Sequence, residues 1–255
     1  YEIRFCDWSS DVCSSDQVSD SSGLGYLTGG LNIMQTDYNN DGLKDIFVVR
    51  GGWMKQYGKQ PNSLLKNNGD GTYTDVTKQS GLLSFHPTQT ATWADFNNDG
   101  WLDVFIGNET TSDLDVNICE LYINNKNGTF TESAAKAGCD IKAFVKGVTS
   151  GDYDKDGLTD IFISTLDGRK ILLKNESING GITRFKDVTQ QAGLHLNKTR
   201  TFPTWFWDYD NDGWLDILVC GYEFDGSLAR YFAAEALNIP VDNSGKPVLD
   251  RKSVV

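Results

Sequence analysis

Four short strings in this chain combine carboxylates and one glycine at a constant spacing. Each has Asp at positions 1, 5 and 9, Asp or Asn at position 3 and Gly at position 6, and the strings occupy residues 37–45, 95–103, 152–160 and 208–216. Calcium takes six to eight oxygen ligands, and alternate side chains of a tight loop can point inward together. The pattern therefore predicts one calcium site in each string, with up to four bound Ca²⁺.

We call these strings acidic loops 1 to 4. The predicted ligands are the side chains at positions 1, 3, 5 and 9 and the main-chain carbonyl at position 7. In chain order they are Asp37, Asn39, Asp41, Leu43 and Asp45; Asp95, Asn97, Asp99, Trp101 and Asp103; Asp152, Asp154, Asp156, Leu158 and Asp160; and Asp208, Asp210, Asp212, Trp214 and Asp216. Glycine at position 6 indicates a sharp turn of the backbone.

An EF-hand is the obvious rival for such loops, and two features exclude it. An EF-hand loop needs a bidentate Glu at position 12 and a helix on each side. Position 12 here is Val48, Ile106, Ile163 or Val219, each in a short apolar run typical of a strand. The remaining alternative is four acidic hairpin turns without metal, and magnesium fits less well because it keeps its waters. Loops 3 and 4 carry four carboxylates against three in loops 1 and 2, so we expect them to bind calcium more tightly.

The acidic loops also account for the charge of the chain. The 255 residues carry a formal net charge of −12, and 14 of the 35 acidic residues lie in the loops. This excess of acid argues against nucleic acid as a partner, because phosphates require Lys and Arg. No apolar run approaches the ~18 residues of a membrane helix, so no membrane span is predicted.

The loops recur at intervals of 58, 57 and 56 residues, which marks the chain as a repeat protein. Each loop precedes a run of β-branched and aromatic residues such as 46–49, and two further runs follow around a Gly-rich turn. Both faces of these runs are apolar, so each strand should be covered on both sides. The predicted fold is therefore all-β: a β-propeller fragment of about four four-stranded blades, with a β-solenoid as the less favoured alternative.

The repeat divides the chain into segments. The predicted segments are 17–30, the tail of a preceding blade; 31–88, 89–145 and 146–201, blades 1 to 3; and 202–250, an incomplete blade 4. Residues 228–237 have helical composition, with Ser227 as N-cap and Pro240 just beyond, so a short helical insertion is predicted in this last blade. Residues 1–16 and 251–255 resemble translated sequencing-adapter DNA and are expected to be non-native; the alternative for 1–16 is a natural Ser/Asp-rich arm.

Over roughly residues 17–250 the chain resembles the FG-GAP/VCBS repeat family of calcium-binding β-propellers. The run Phe202-Pro-Thr-Trp-Phe-Trp-Asp-Tyr-Asp-Asn-Asp-Gly213, with Gly221-Tyr222 and the Ala-rich segment after it, is most similar to bacterial propellers that carry an ASPIC/UnbV C-terminal domain. Integrin-like ligand recognition is not implied, because no Gly-Ala-Pro follows the first strand. The resemblance implies a secreted, cell-surface or periplasmic protein whose complete ring has about seven or eight blades.

Two functions of different classes suit such a scaffold. The first is an extracellular interaction or adhesion module, in which structural Ca²⁺ stiffens the acidic loops and an unidentified protein or glycan is the partner. The second is a calcium-assisted polysaccharide lyase or hydrolase. The two histidines, His86 and His195, lie in connections without a catalytic partner motif. Glu120, Glu132 and Glu176 are single carboxylates expected on the surface. No catalytic residue is predicted, and the interaction module is favoured.

Aromatic and cysteine residues have predicted roles in packing. An aromatic residue at position 2 of every acidic loop indicates packing between blades, and core packing is also the favoured role of Trp93, Trp205 and Trp207. Cys119 and Cys139 bracket the tail of one repeat and could form a disulfide in an oxidising compartment. Cys220 ends an apolar run and is expected to be a small buried thiol.

Overall fold

The structure is a computed structural model that describes residues 18–27, 29–178, 181–196 and 198–222. Within these residues the chain forms four antiparallel sheets of four, four, four and two strands. In chain order the strands are β1 (Gly30–Thr36), β2 (Asp45–Arg50), β3 (Ser63–Asn67) and β4 (Tyr73–Asp75); β5 (Thr88–Ala94), β6 (Asp103–Asn108), β7 (Glu120–Asn124) and β8 (Phe130–Glu132); β9 (Val145–Gly151), β10 (Asp160–Thr165), β11 (Lys170–Asn175) and β12 (Phe185–Asp187); and β13 (Thr201–Trp207) and β14 (Asp216–Gly221). The prediction of an all-β repeat is confirmed.

Each acidic loop joins the first two strands of its sheet. The residue before the loop pairs with the Asp at position 9 in all four sheets: Thr36 with Asp45, Ala94 with Asp103, Gly151 with Asp160 and Trp207 with Asp216. This constant register makes the four loops structurally equivalent hairpin ends. The order of strand, acidic loop and strand that the sequence pattern predicts is therefore observed in every sheet.

The hydrophobic core lies between neighbouring sheets. One cluster joins the first and second sheets and includes Phe47 and Val104. A second cluster joins the second and third sheets and includes Phe105 and Ile161. The second strands β6 and β10 are buried along their whole length, so both of their faces are covered as predicted. The prediction is wrong for β14, which is only partly buried because no third strand of its sheet is among the described residues. Sheets stacked through cores of this kind form a propeller-like fragment.

The segment after each fourth strand packs on the outer strand of the next sheet. Phe130 of β8 donates its N–H to the Ser80 carbonyl at 2.8 Å, and Tyr73 of β4 donates to the Ser22 carbonyl at 2.9 Å. Gly81 has a φ of +82°, and a side chain there would lie 3.1 Å from the Phe130 carbonyl oxygen. The tail segment that precedes the first sheet therefore makes the same contact as the tail that precedes the second.

Short helical turns occupy a few connections. They are α1 (Ala134–Ala137) and two 3₁₀ turns, Lys55–Gly58 and Leu194–Leu196. The insertion predicted at 228–237, the segment 1–16 and the segment 251–255 all lie outside the described residues. No helix in the described ranges is long and apolar enough to cross a membrane.

The predicted core packing of the tryptophans holds for only one of them. Trp93 packs edge-on against Phe47 at a centroid distance of 5.5 Å. Trp205 and Trp207 are 42% and 55% exposed, so core packing is wrong for this pair. They lie on the face of β13 opposite to Phe206, which contacts the third sheet, and no described sheet covers their own face.

The three described cysteines are all free thiols. Cys119 and Cys139 are buried in the cluster between the second and third sheets, and Cys220 is partly buried. Burial raises the pKa of the Cys119 thiol to about 12. The disulfide that the spacing allowed is therefore absent from this structure, and both thiols serve as small apolar core groups.

Candidate metal centres

Position 1 of each acidic loop ties the loop backbone together. One carboxylate oxygen accepts the position-5 N–H at 2.9–3.1 Å, and the other accepts the N–H of the position-6 glycine at 2.7–3.1 Å. The residues at position 1 are Asp37, Asp95, Asp152 and Asp208. Because two N–H groups converge on one carboxylate, each loop curls around its first residue.

Position 5 continues the same curl. Its Oδ1 accepts the N–H of position 7 at 2.7–3.0 Å in all four loops. The bond from Leu43 is the leading reason that the pKa of Asp41 lies below its ordinary value. The residues at position 7 are Leu43, Trp101, Leu158 and Trp214. Their N–H groups take part in these bonds, and the calcium-binding role of their carbonyls stays a prediction.

Two positions of each loop adopt left-handed backbone conformations. The glycines at position 6 have φ between +83° and +88°, as expected for a sharp turn. Position 4 also has a positive φ, between +53° and +59°, which the sequence reasoning missed although Asn is enriched in this conformation. The residues at position 4 are Asn40, Asn98, Lys155 and Asn211.

Position 9 places a carboxylate at the base of each loop. Asp45, Asp103 and Asp160 are fully buried, and Asp216 is partly buried. Oδ1 of the first three accepts a main-chain N–H from the third strand of the same sheet at 2.7–2.8 Å. Burial raises the pKa of Asp103 to about 7 and that of Asp160 to about 6, although the main-chain N–H donors act in the opposite direction. A neighbouring cation would favour the ionised form of these carboxylates.

Several predicted ligands have buried oxygen atoms without a hydrogen-bond partner. Among the described residues these include Asn97 Oδ1 at position 3 of loop 2, Asp154 Oδ1 at position 3 of loop 3 and Asp45 Oδ2 at position 9 of loop 1. Asn97 is only 5% exposed. A buried polar atom left unpaired costs about 1–3 kcal/mol. An oxygen in this state beside two or three carboxylates fits the ligand preference of a hard cation.

Loops 3 and 4 gather their carboxylates most closely. Asp152, Asp154 and Asp156 each bring an oxygen within 4.8 Å of the others, and so do Asp208, Asp210 and Asp216. In loop 1 the Asn39 amide instead donates to Asp41 Oδ2 at 2.8 Å. The two loops that carry Asp at position 3 thus have the carboxylate grouping that a divalent cation requires.

Lysine ammonium groups lie beside the first three acidic loops. Lys174 forms ion pairs with Asp154 and with Asp156, the latter at 2.9 Å. Lys126 lies 3.3 Å from Asp99 Oδ2, and Lys66 lies 4.0 Å from Asp41 Oδ2. Sequence reasoning missed these lysines. A repeated sequence pattern could have identified Lys66 and Lys174, because each directly precedes the asparagine that ends the third strand of its sheet.

The asparagine that ends the third strand joins adjacent sheets in the second and third sheets. The Asn124 side chain donates to the Leu102 carbonyl of its own sheet at 3.1 Å and to the Tyr38 carbonyl of loop 1 at 2.7 Å. Asn175 repeats the arrangement one sheet further on, with bonds to the Thr159 and Phe96 carbonyls. Each buried amide therefore holds position 2 of the acidic loop in the preceding sheet.

The histidines and single glutamates are the remaining candidates for chemistry. His86, Glu120 and Glu132 line one pocket of about 310 Å³. The expected surface position is wrong for Glu120, which is buried, and holds for Glu132, which is exposed. Glu120 is 9% exposed, and its oxygens accept bonds from Ser84, Asn108 and Tyr122. His195 lines a separate pocket. Glu120 is thus engaged in structural hydrogen bonds.

A buried ion pair lies at the opposite end of the sheets, where the first strands begin. Lys146 of β9 pairs with Glu109, which follows β6, and both side chains are fully buried. The Lys146 ammonium lies 3.1 Å from the centroid of the Trp53 ring, and the Trp53 N–H donates to Glu109 Oε2 at 2.8 Å. Burial lowers the pKa of Lys146 to about 8. No local sequence pattern predicts this contact among three sheets.

Comparison with known proteins finds similarity along most of the chain. A family model described as FG-GAP-like repeat matches residues 37–106, 111–163 and 152–219. Cartilage acidic protein 1 from Homo sapiens and from Mus musculus is 24% identical over 226 residues, which is 85% of this chain and 32% and 33% of those proteins. The Xenopus tropicalis protein of the same name is 25% identical over 217 residues, 79% of this chain and 30% of its own length. The chain thus spans about a third of the length of these relatives.

Proposed function

We propose, from the premise that this chain belongs to the FG-GAP-like repeat family, that it is a calcium-binding propeller module for interaction outside the cytoplasm. Each acidic loop would hold one Ca²⁺ through the side chains at positions 1, 3, 5 and 9 and the carbonyl at position 7. Bound Ca²⁺ would supply positive charge that offsets the repulsion among three or four carboxylates. The residues of the chain would then hold the hairpin ends in one conformation, and the stiffened scaffold would present a separate surface to a protein or glycan partner.

The unpaired oxygens of position 3 carry the calcium proposal. Asn97 Oδ1 and Asp154 Oδ1 are buried without a hydrogen-bond partner in the described part of the chain. Acidic hairpin turns without metal would satisfy such atoms with main-chain N–H groups, as positions 1 and 5 do here. Oxygens left free at the same position in two loops are better explained by coordination of a hard cation.

Calorimetric titration of the purified chain with Ca²⁺ tests the proposal. Binding with up to four sites and Kd values of about 10⁻⁴ to 10⁻³ M is expected, which is the range of extracellular calcium modules. Mg²⁺ should bind more weakly. Asp156→Ala should remove one site, whereas Asp70→Ala, in an exposed turn between β3 and β4, should remove none. Heat changes unaffected by Asp156→Ala would contradict calcium binding at this loop.

The long connections between second and third strands provide a surface for a partner. The segments 51–62 and 109–119 follow β2 and β6, and the matching connection after β10 spans only 166–169. Tyr57 and Leu114 are 75% and 100% exposed in them. A Lys59–Asp115 ion pair of 3.2 Å links the two long connections. This end of the sheets lies opposite the acidic loops, so calcium would act on the scaffold and leave this surface free.

Binding assays decide between the interaction module and the enzyme. The unsubstituted chain and a Tyr57→Ser, Leu114→Ser variant would be applied to a glycan array and to immobilised extracellular proteins, with Ca²⁺ or with a chelator. Calcium-dependent binding that the variant lacks supports the module. Turnover of acidic polysaccharides in the presence of Ca²⁺, with no stable binding, would favour the lyase or hydrolase instead.

The proposed location outside the cytoplasm rests on calcium and on the relatives. Sites of the expected affinity would be empty at cytosolic calcium concentrations. The matched relatives are named as acidic proteins of cartilage. We therefore propose a secreted, cell-surface or periplasmic location. Fractionation of the native host, with detection of this chain, tests it directly.

The similarity to bacterial propellers with an ASPIC/UnbV domain also belongs to this proposal. It rests on residues 202–213 together with Gly221 and Tyr222. The adapter origin of residues 1–16 and 251–255 is a separate proposal. Sequencing of the gene from its source would test the adapter origin, because it reads the natural residues at 1–16 and 251–255. It would test the similarity by showing whether an ASPIC/UnbV domain is encoded together with these repeats.

A further inference from the structure

Neighbouring acidic loops contact each other through position 4. Asn40 of loop 1 donates its side-chain N–H to the Gly100 carbonyl of loop 2 at 3.0 Å. Asn98 of loop 2 donates in the same way to the Gly157 carbonyl of loop 3 at 2.9 Å. Both bonds run from position 4 of one loop to position 6 of the next. Loops 1 to 3 therefore form a connected row along one edge of the sheets.

The peptide group that receives this bond orients two predicted ligands. The Gly100 carbonyl and the Trp101 N–H belong to one planar peptide unit. The Trp101 N–H donates to Asp99 Oδ1 at 3.0 Å, so this plane is held by Asp99 within loop 2 and by Asn40 from loop 1. The position-5 carboxylate is bound to this plane, and the position-7 carbonyl follows it in the chain. A shift of the plane would move both.

The peptide unit of loop 3 is held in the same way. The Leu158 N–H donates to Asp156 Oδ1 at 2.9 Å while the Gly157 carbonyl accepts the bond from Asn98. The junction between loops 3 and 4 differs, because Lys155 occupies position 4 and its ammonium lies 4.1 Å from the centroid of the Trp214 ring. The amide bridge is thus observed at two of the three junctions between described loops.

We infer that Asn40 and Asn98 are positioning residues for cation binding in the loop that follows each of them. The inference rests on the proposed calcium function and adds a direction to it: loop 1 supports loop 2, and loop 2 supports loop 3. The left-handed backbone at position 4 explains why Asn is tolerated there. It does not explain why both side chains reach a glycine carbonyl in the neighbouring loop.

Terbium(III) luminescence reads single loops. Tb³⁺ replaces Ca²⁺ and is excited through a nearby tryptophan, and position 7 is Trp101 in loop 2 and Trp214 in loop 4. A Tb³⁺ signal that is lost both in Trp101→Phe and in Asp99→Ala belongs to loop 2, and a signal that is lost both in Trp214→Phe and in Asp212→Ala belongs to loop 4. Loop 3 becomes readable in a Leu158→Trp background. Asn→Gly is the chosen substitution because glycine keeps the positive φ without strain.

Asn40→Gly should raise the Tb³⁺ Kd of loop 2 about three- to tenfold, the effect of one lost hydrogen bond, and leave loop 4 unchanged. Asn98→Gly should do the same to loop 3 and leave loop 2 unchanged. Asn211→Gly is the matched control, since it makes the same change at position 4 of loop 4 and has no hydrogen bond to loop 2 or 3 among the described residues. Its Kd values for loops 2 and 3 should equal those of the unsubstituted chain.

The outcomes separate the two proposals. Absence of Tb³⁺ and Ca²⁺ binding in the unsubstituted chain would overturn the calcium function and the coupling together. Normal binding in which Asn40→Gly and Asn98→Gly behave like Asn211→Gly would overturn only the coupling. In Asn98→Gly, the Tb³⁺ affinity could instead fall only at loop 2, the loop that carries the substitution. Position 4 would then act locally, and this result would also overturn the coupling.

Discussion

The side-chain amide of Asn124 donates a 2.7 Å hydrogen bond to the main-chain carbonyl of Tyr38, 86 residues earlier in the chain. Asn124 ends the third strand of the second sheet, and Tyr38 is position 2 of acidic loop 1. The same amide also bonds the Leu102 carbonyl of its own sheet. One buried side chain therefore connects the acidic loops of two adjacent sheets, at the edge where their hydrophobic cluster ends.

Asn124→Ala should destabilise the chain by about 1–3 kcal/mol, because it removes the amide donor from the buried Tyr38 carbonyl and from the partly buried Leu102 carbonyl. Urea denaturation followed by tryptophan fluorescence measures the change. Asn67→Ala is the matched control, since the Asn67 amide bonds only the Lys44 carbonyl of its own sheet within the described residues. An equal loss in both variants would mean that the bond between sheets contributes nothing beyond the local one.

Calcium affinity should rank the loops by their carboxylates. Loops 3 and 4, which group three carboxylate oxygens within 4.8 Å, are expected to bind on the order of tenfold more tightly than loops 1 and 2, a difference of ~1.4 kcal/mol. In calorimetric titration, Asp212→Ala should remove a high-affinity Ca²⁺ binding event, and Asp41→Ala should remove a low-affinity one. Equal losses in the two variants would contradict the ranking.

The sequence was sufficient for the repeat and for the fold. The constant spacing of the acidic strings and the apolar runs after them predicted the hairpin that the register of Thr36 with Asp45 shows in the structure. The alternation of positions 1, 3 and 5 also indicated which side chains point inward within each acidic loop. These features depend on residues close together in the chain, where local backbone geometry decides the outcome.

Contacts between sheets could not be predicted in this way. Nothing in the local pattern pairs Lys146 with Glu109 or places Trp53 over that ammonium, because the three residues belong to three different repeats. The exposure of Trp205 depends in the same way on which sheets cover β13. Such contacts follow from the stacking of blades, which the spacing of one repeat does not encode.

Removal of the Lys174 ammonium should tighten calcium binding at loop 3. This lysine pairs with Asp154 and Asp156, so it competes with any cation for positions 3 and 5. Because the ion pairs are partly exposed, Lys174→Met is expected to lower the Kd of loop 3 by only about two- to fivefold. Loop 3 is read by Tb³⁺ luminescence in the Leu158→Trp background.

Lys186→Met is the control for this effect, because Lys186 pairs with Glu176 outside the acidic loops at 3.6 Å. It should leave the affinity of loop 3 unchanged. Weaker binding in Lys174→Met would mean that this lysine orders the loop for the cation and does not compete with it.

The buried ion pair predicts a pH-dependent loss of stability. In Lys146→Met, Glu109 stays buried without its partner, at an expected cost of about 3–5 kcal/mol at pH 7, where Lys146 of the unsubstituted chain is mostly charged because its pKa is about 8. Burial already raises the pKa of Glu109, and loss of the ammonium would raise that pKa further. An acid with a raised folded-state pKa contributes stability that is fully present below its unfolded pKa of ~4.3 and is lost as the pH rises through the folded value.

The stability deficit of Lys146→Met relative to the unsubstituted chain should therefore be smaller at pH 5 than at pH 7 in urea denaturation. The double variant Lys146→Met, Glu109→Gln should recover much of the stability at pH 7, because it removes the unpaired charge. Lys142→Met, whose partner Asp113 is exposed, should show no such pH dependence. A deficit that stays constant between pH 5 and pH 7 would show that lost packing against Trp53, and no buried charge, accounts for the effect.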